Sequence, residues 1–232
     1  FGMAVVRAEG FLADPANREA VAMAIDRDAL IAQFGLGGWV ATTRVIPPGT
    51  EDDRGLVGER WTTLNLAQRR TEAASRVARW RGGSGAAPAP LRIAMPAGPG
   101  GDALFGRIRA DLSAIGLEAR KVGEGAQAEL RLVDVVARYP RSRWFFNQMG
   151  CAGARGLCSS LADARFRAAL AMPDPDQRAD AMADAEAELT RANVFIPFGA
   201  PIRFSLVSGG VTGIAVNRWG VHPLMPLAMV PR

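Results

Sequence analysis

The residues from Asp14 to Phe34 constrain the fold most, because they predict two consecutive helices that are too apolar to lie at a surface. Asp14 can cap the first helix, and Pro15 follows at the first helical position, where its missing N–H costs nothing. Asp26 offers a cap for the second helix, and the glycines within Gly35–Gly38 end the run. A helix pair of this composition belongs in the core of a domain.

Strand and helix patterns alternate along the rest of the chain, which predicts an α/β fold. A third helix is expected to begin at a cap formed by Thr62 or Thr63 and to close at Gly82-Gly83. Asp174-Pro175 repeats the cap-and-proline start of the first helix. The nearly continuous apolar run Glu129–Ala137 predicts a central strand. The other expected elements are strands at Phe1–Val6, Leu91–Met95, Leu117–Val122 and Val194–Phe198, and helices over Leu104–Ile115, Leu161–Met172 and Pro175–Leu189.

The charge pattern argues against two classes of protein. The 232-residue chain has a net charge of +5 that comes almost entirely from arginine, since Lys121 is its only lysine. The arginines stand beside acidic residues in helices and are not interleaved with aromatic residues, so no nucleic-acid partner is expected. Every apolar run is interrupted by Arg, Asp or Gly before it reaches membrane-spanning length, so no membrane insertion is expected. The segment Phe1–Arg7 lacks the features of a secretory signal.

The residue order around the first helix pair carries a further signal. Asn17-Arg18-Glu19-Ala20, Ala24-Ile25-Asp26-Arg27 and Val45-Ile46-Pro47-Pro48-Gly49 together resemble the extracellular solute-binding protein family 5, which comprises the solute-binding proteins of peptide-type ABC importers. In that family this segment opens the large C-terminal lobe. The closing segments follow the order of the family as well; they are Ile202–Val207, Val211–Ile214 and Asn217–Gly220.

The resemblance implies a fold and a domain organisation. Residues 1–232 would form a single C-terminal lobe of a two-lobe protein, with a periplasmic-binding-protein type II-like fold whose mixed β-sheet is flanked by helices. Residues 1–10 and 211–232 would be hinge or return segments between the lobes. The N-terminal lobe would be absent from this chain.

The segment Arg138–Ser160 is the least regular part of the sequence and is rich in aromatic residues and arginine. It follows the predicted central strand, and ligands of open α/β sheets gather at the carboxyl ends of such strands. The resembled family has its ligand-contacting loop here, with a tryptophan and an aspartate that holds the amino terminus of a peptide. Those two positions align with Val135 and Arg138. Because arginine repels an ammonium group, binding of a free amino terminus is placed in doubt.

The expected ligand-binding residues are Arg138, Tyr139, Trp144, Phe145 and Asn147. The guanidinium fork of Arg138 suits a carboxylate, a phosphate or a sugar hydroxyl, although an ion pair with a surface acid is an equally simple use for it. Exposed Trp144 and Phe145 would stack on a ligand, and core packing is the alternative.

Cys151 and Cys158 lie seven positions apart and are the only cysteines. No second pair and no suitably spaced histidines accompany them, so a zinc site is not expected. In an oxidising compartment they would form a disulfide that contributes about 2–3 kcal/mol and holds the aromatic segment in one shape. Free thiols are the alternative.

No residue pattern predicts catalysis, a metal site or a cofactor. His222 is the only histidine and has no partner motif, and neither Ser159 nor Ser160 has a G-x-S-x-G context. Gly98–Asp102 lies between a strand and a helix, but no Gly-Lys-Ser/Thr follows it. A plain turn without a phosphate ligand is therefore expected.

The resemblance implies a function. The chain would belong to a monomeric, periplasmic or otherwise extracytoplasmic solute-binding protein of an ABC importer. This protein would capture a small polar solute, peptide-like or an oligosaccharide, by hinge closure and deliver it to a permease. The arginine at position 138 motivates an alternative, which is a regulatory or structural relative of the same fold that no longer transports.

Overall fold

The computed structural model describes residues 1–153, 155–201, 206–211 and 213–214. Its strands are β1 (Gly2–Val5), β2 (Val40–Ala41), β3 (Leu91–Ala94), β4 (Ala119–Val122), β5 (Leu130–Val133), β6 (Phe195–Pro197) and β7 (Gly199–Ala200). Its α-helices are α1 (Pro15–Ala24), α2 (Arg27–Ala32), α3 (Leu66–Ser84), α4 (Pro99–Ser113), α5 (Ser142–Met149), α6 (Ser160–Leu170) and α7 (Pro175–Ala192). Among the closing segments named above, Asn217–Gly220 lies outside the described residues, as do residues 202–205, residue 212 and His222.

Five strands form a mixed sheet in the order β4-β3-β5-β1-β6, and β2 pairs separately with β7. β3 runs parallel to β4 and β5, whereas β1 runs antiparallel to β5 and β6. The central position predicted for the 129–137 run is confirmed, but the strand ends at Val133 and not at Ala137. Val133 pairs with Gly2, the first residue of β1, so the ladder has no further partner on that side.

Helices flank the mixed sheet, as the fold class predicts. The larger apolar core lies between one face and helices α1, α3 and α4, and it includes Met3, Ile93, Leu130 and Ile196. A second core joins α5, α6 and α7 and is centred on Phe146, Phe166 and Leu189. No helix within the described residues is both long enough and apolar enough to cross a membrane.

The predicted capping signals of three helices are confirmed. The carboxylate of Asp14 accepts a hydrogen bond from the backbone N–H of Ala16 at 2.8 Å, with Pro15 at the first helical position. Asp26 caps α2 in the same way through Ala29, at 3.0 Å. Asp174 caps α7 and precedes Pro175. In each case a local oxygen satisfies backbone donors that a helix start leaves unpaired.

Both predicted ends of the third helix are wrong. The cap is Asn65, which forms a reciprocal capping box with Gln68, and not Thr62 or Thr63. The helix also continues through Gly82-Gly83 and ends at Gly85. Gly85 has a φ of 69°, and this left-handed conformation, rather than glycine as such, terminates the helix.

The arginines of the signature in α1 and α2 are structural. The Arg18 guanidinium is buried and donates to three backbone carbonyls, those of Leu12, Ala13 and Ala192, at 2.7–3.1 Å. Arg27 is also buried, and its Nε donates to the carbonyl of Pro197 at 2.8 Å. Burial lowers the pKa of both guanidiniums. Each side chain therefore connects the first helix pair to the chain that returns through α7 and β6.

The acids of the same signature form ion pairs at the surface of this core. Glu19 contacts Arg60 at 2.6 Å and Arg76 at 2.7 Å. Asp26 pairs with Arg107 at 2.7 Å and, through its backbone N–H, donates to Asp111. These contacts connect α1 and α2 to α3 and α4. The acidic residues of the signature therefore stabilise the packing of these four helices.

We expect Arg18→Ala to lower the free energy of unfolding by about 3 kcal/mol, because it leaves three carbonyls without their donor in a buried site. Urea denaturation followed by circular dichroism would measure the change. Arg109→Ala is the matched control, since Arg109 is exposed on α4 and should change stability by less than about 0.5 kcal/mol. Equal losses in the two variants would contradict the anchoring role of Arg18.

Candidate functional site

One edge of the sheet concentrates the ends of the parallel strands. β3, β4, β5 and β6 all run in one direction and finish at this edge, which we name the carboxyl edge. Gly2 pairs with both Val133 and Pro197, so β1 starts at the same edge. The N–H of Phe198 donates to the carbonyl of Phe1 at 2.9 Å. Loops at such an edge hold the ligands of open α/β folds.

The segment after β5 crosses the carboxyl edge with apolar side chains exposed. Val135 is 49% exposed and Val136 is 39% exposed. They lie outside the strand, because the ladder with β1 has ended at Val133. Tyr139, three positions further along the chain, is 37% exposed, so the exposed surface of this segment carries three large apolar side chains within five positions.

The structure brings three of the five expected ligand-binding residues to this surface. Arg138 is exposed, and its guanidinium forms no hydrogen bond or ion pair with any other residue that the structure describes. Asn147 is exposed and its Nδ2 donates to Oη of Tyr139 at 3.3 Å. The carbonyl of Tyr139 accepts from the N–H of Arg141 at 3.0 Å. Tyr139 is thereby held between the loop and the helix that follows it.

The two remaining expected residues are packed more deeply. Trp144 is only 7% exposed, and Phe145 is half-buried and meets it edge to face at a centroid distance of 5.0 Å. Trp144 was expected to be exposed and to stack on a ligand, but its ring has little free surface for such a contact. The reason is that this segment is not an irregular loop: residues 142–149 form α5, whose apolar side chains join the second core.

The loop that supports this segment is built around a buried ion-pair cluster. The guanidinium of Arg44 contacts both carboxylate oxygens of Asp53 at 3.0 Å. It also contacts a carboxylate oxygen of Glu186, on α7, at 3.0 Å. Burial opposes the charge on Arg44, but the hydrogen bonds with the two acids outweigh it and raise the pKa of Arg44. Burial raises the pKa of Glu186. Asp53 also accepts from the N–H groups of Gly49 and Gly55, which folds the loop on itself.

The cysteines are joined in a disulfide, with their Cα atoms 5.1 Å apart. The expected disulfide is confirmed, and the contacts around it show which end of the aromatic segment it constrains. The N–H of Leu157 donates to the carbonyl of Val5 at 2.8 Å, and Val5 lies at the end of β1 that is opposite to the carboxyl edge. The disulfide therefore fixes the far end of α5, about one helix length from Arg138.

The carboxyl edge also contains a groove that the sequence analysis did not predict. A groove of about 530 Å³ lies where β3 and β4 end, between Gly98 and Glu124. Lys121 crosses it to pair with Asp102 at 2.6 Å. The turn expected at Gly98–Asp102 is shorter than predicted, because Gly98, with a φ of 101°, is the residue before α4 and residues 99–102 already form its first turn. A Cβ on Gly101 would lie 2.2 Å from the carbonyl oxygen of Pro96. The only lysine of the chain, near the end of a predicted strand, was the available signal for the groove.

The described residues contain no group of three or more His, Cys, Asp or Glu side chains arranged to hold a metal ion. No protein-family model matches the sequence, and no curated protein matches it.

Solved structures, in contrast, match the fold closely. OppA from Burkholderia pseudomallei aligns with a TM-score of 0.75 and 17% identity, over 85% of this chain and 42% of that chain. OppA from Haemophilus influenzae, in complex with RPPGFSPFR, aligns with a TM-score of 0.72 and 16% identity over the same shares. The chain has a lobe fold of peptide-binding proteins. It spans 42% of the length of these two proteins.

One matching chain is close to this one in extent. The structure described as a peptide-binding protein of a peptide ABC transporter aligns with a TM-score of 0.69 and 14% identity, over 85% of this chain and 96% of that chain. At these identities the likeness establishes the fold, and it confirms the expected mixed sheet flanked by helices.

We expect Asp53→Asn to destabilise the protein by about 1–2 kcal/mol near pH 7. The substitution replaces the ion pair between Asp53 and Arg44 with a hydrogen bond from Arg44 to a neutral amide. Burial opposes the charge of Asp53, but hydrogen bonds from Arg44 outweigh it and lower the pKa of Asp53 below its ordinary value. The stability that the carboxylate supplies is therefore complete above the unfolded pKa of about 4, and it is lost as the pH falls through the folded pKa.

Urea denaturation at several pH values would test this expectation. The difference between wild type and Asp53→Asn should shrink below about pH 4. Glu118→Gln is the control, since Glu118 is exposed immediately before β4 and should change little. A difference that is constant with pH would contradict the assignment to the Asp53 carboxylate.

Proposed function

We propose that this chain is the C-terminal lobe of a two-lobe solute-binding protein that serves an ABC importer. It would capture a small polar solute, peptide-like or an oligosaccharide, between the lobes and deliver it to the permease. One observation carries the proposal: Arg138, Tyr139 and Asn147 are grouped and exposed at the carboxyl edge of a lobe that shares its fold with peptide-binding proteins.

The geometry supports a cleft that a second lobe completes. Val135, Val136 and Tyr139 are exposed side chains of one segment, and by themselves they would contact only one side of a solute. Phe1 and Phe198 lie next to each other at the same edge, so chain segments toward another lobe can both cross there. Residues 1–10 and 211–232 are the hinge or return segments in this proposal. Closure would then add the contacts that only the closed form makes.

Arg138 determines which solutes fit best. Its guanidinium is exposed and unpaired among the described residues, so it can form a bidentate contact with a carboxylate or a phosphate. Tyr139 and Phe145 offer aromatic surface, with Asn147 as a polar neighbour. An acidic or carboxylate-bearing solute is therefore favoured over one that is recognised by a free amino terminus.

The proposed role is binding without catalysis or a cofactor, by a monomer in the periplasm or another extracytoplasmic compartment. The names of the matching structures support this role, since they describe peptide-binding and periplasmic proteins. The second candidate is a regulatory or structural relative of the same fold. The arginine at position 138, where the resembled family has an aspartate, is the observation that favours it.

The decisive experiment uses the native gene product purified from its source cells. Its mass, its compartment and any co-purifying solute would be determined by fractionation and native mass spectrometry. A product of about twice this mass outside the cytoplasm, carrying a small polar solute, is expected. A product that contains only this lobe, or one without a solute that also binds none of a panel of synthetic peptides and oligosaccharides, would favour the regulatory alternative.

We expect Arg138→Ala in the native protein to weaken binding of its solute by about 10-fold or more, because a charge-assisted hydrogen bond is lost. Isothermal titration with the co-purified solute would measure the change. Arg143→Ala is the matched control, since Arg143 is exposed on α5 in the same segment. If the two variants bind equally well, Arg138 is not part of the binding site.

A further inference from the structure

Helix α5 begins without a cap of its own. The residue before it, Arg141, makes no side-chain hydrogen bond to the first turn. The missing acceptor comes from far upstream: Oδ1 of Asp52 accepts from the backbone N–H of Ser142 at 2.9 Å, across 90 positions of sequence. A carboxylate at this place satisfies an unpaired donor and also interacts favourably with the positive end of the helix.

The neighbouring residue makes two more contacts with the same few positions. The N–H of Glu51 donates to the carbonyl of Pro140 at 2.8 Å. The carboxylate of Glu51 lies 3.3 Å from Nε of Arg141, but both side chains are exposed and this pair contributes little. Two hydrogen bonds therefore hold the backbone of residues 140–142, immediately after Arg138 and Tyr139: one from Ser142 to Asp52 and one from Glu51 to Pro140.

The loop that supplies these contacts is itself fixed. Asp53 follows Asp52 directly and is held by Arg44, which in turn contacts the buried Glu186 of α7. Asp53 also accepts from the N–H groups of Gly49 and Gly55, so the loop keeps its shape on both sides of Asp52. A rigid chain of contacts thus leads from the second core to the start of α5.

We propose that Asp52 is a positioning residue for the ligand segment, acting as a tertiary cap for α5. By fixing Ser142 it sets the path of the backbone at Arg138 and Tyr139. It also sets the distance from Tyr139 to Asn147, which lies on α5 itself. The consequence for solute binding rests on the proposed function; the effect on the backbone does not.

The test compares Asp52→Ala with Asp52→Asn in the full chain. Asparagine retains an oxygen that accepts from Ser142, whereas alanine does not. Tyr139 is the only tyrosine, so ring-labelled ¹³C-tyrosine gives a single reporter at the site. Hydrogen exchange of the backbone over residues 138–147 reports the cap directly. Asp176→Ala is the control, because Asp176 pairs with Arg54 of the same loop at 3.0 Å but touches none of residues 138–147.

Asp52→Ala is expected to speed exchange over residues 138–147 by about 10-fold and to shift the Tyr139 signal, which corresponds to a local loss of about 1.4 kcal/mol. Exchange in α1 and α4 should not change. Asp52→Asn and Asp176→Ala should resemble the wild type. Unchanged exchange in Asp52→Ala overturns the proposal, as does an Asp52→Asn variant that exchanges as fast as the alanine variant. Faster exchange throughout the chain in Asp52→Ala overturns a local positioning role as well.

A binding arm separates this inference from the proposed function. The native protein and its Asp52→Ala and Asp176→Ala variants would be titrated with a mixture of synthetic di- to pentapeptides, with detection by native mass spectrometry. Weaker binding by Asp52→Ala alone, by about 10-fold, supports positioning for binding. If the wild type binds none of the peptides, peptide capture fails, and the exchange and tyrosine data still decide the role of Asp52.

Discussion

Two buried guanidiniums connect the first helix pair to the rest of this fold. Arg18 and Arg27 each leave the first helix pair and donate to backbone carbonyls of the returning chain, at Ala192 and Pro197. A buried charge is costly unless its donors are satisfied, and here backbone carbonyls satisfy most of them, including those at the end of α7 and of β6. Because β6 pairs with β1 and β1 pairs with β5, the position of the central strand depends on these contacts. The location of the candidate site, which follows β5, therefore depends on the same contacts.

The carboxyl edge acquires its shape from where strand pairing stops. β5 could continue as an apolar strand, but its pairing with β1 ends where Val133 meets Gly2, the first residue of β1. The chain therefore leaves the sheet with Val135 and Val136 exposed, and it turns at Tyr139 toward α5. The start of α5 is then held by Asp52 and its far end by the disulfide at the opposite side of the sheet. The two ends of one helix are thus fixed by unrelated parts of the fold.

Sequence reasoning located the candidate site but described its interior incompletely. It found the segment because a strand-terminal stretch rich in Arg and aromatic residues is a distinctive pattern. It took this segment for a loop, since the cap of α5 lies on Asp52 and no local residue replaces it. Trp144 was consequently expected at the surface, whereas the helix turns it into the protein. The groove beside Lys121 was missed because two separate strand ends must meet to form it.

The sequence by itself determined the α/β class, the central strand and the helices whose caps are local, as at Asp14, Asp26 and Asp174. These features depend on periodicity and on hydrogen bonds between residues a few positions apart, which a sequence displays directly. Only the tertiary structure decided the end of β5, the existence of α5, the burial of Trp144 and the anchoring roles of Arg18 and Arg27. The end of β5, the start of α5 and the roles of the two arginines each depend on a partner 90 or more positions away, and the free energy of such a contact is set by packing that no local pattern encodes.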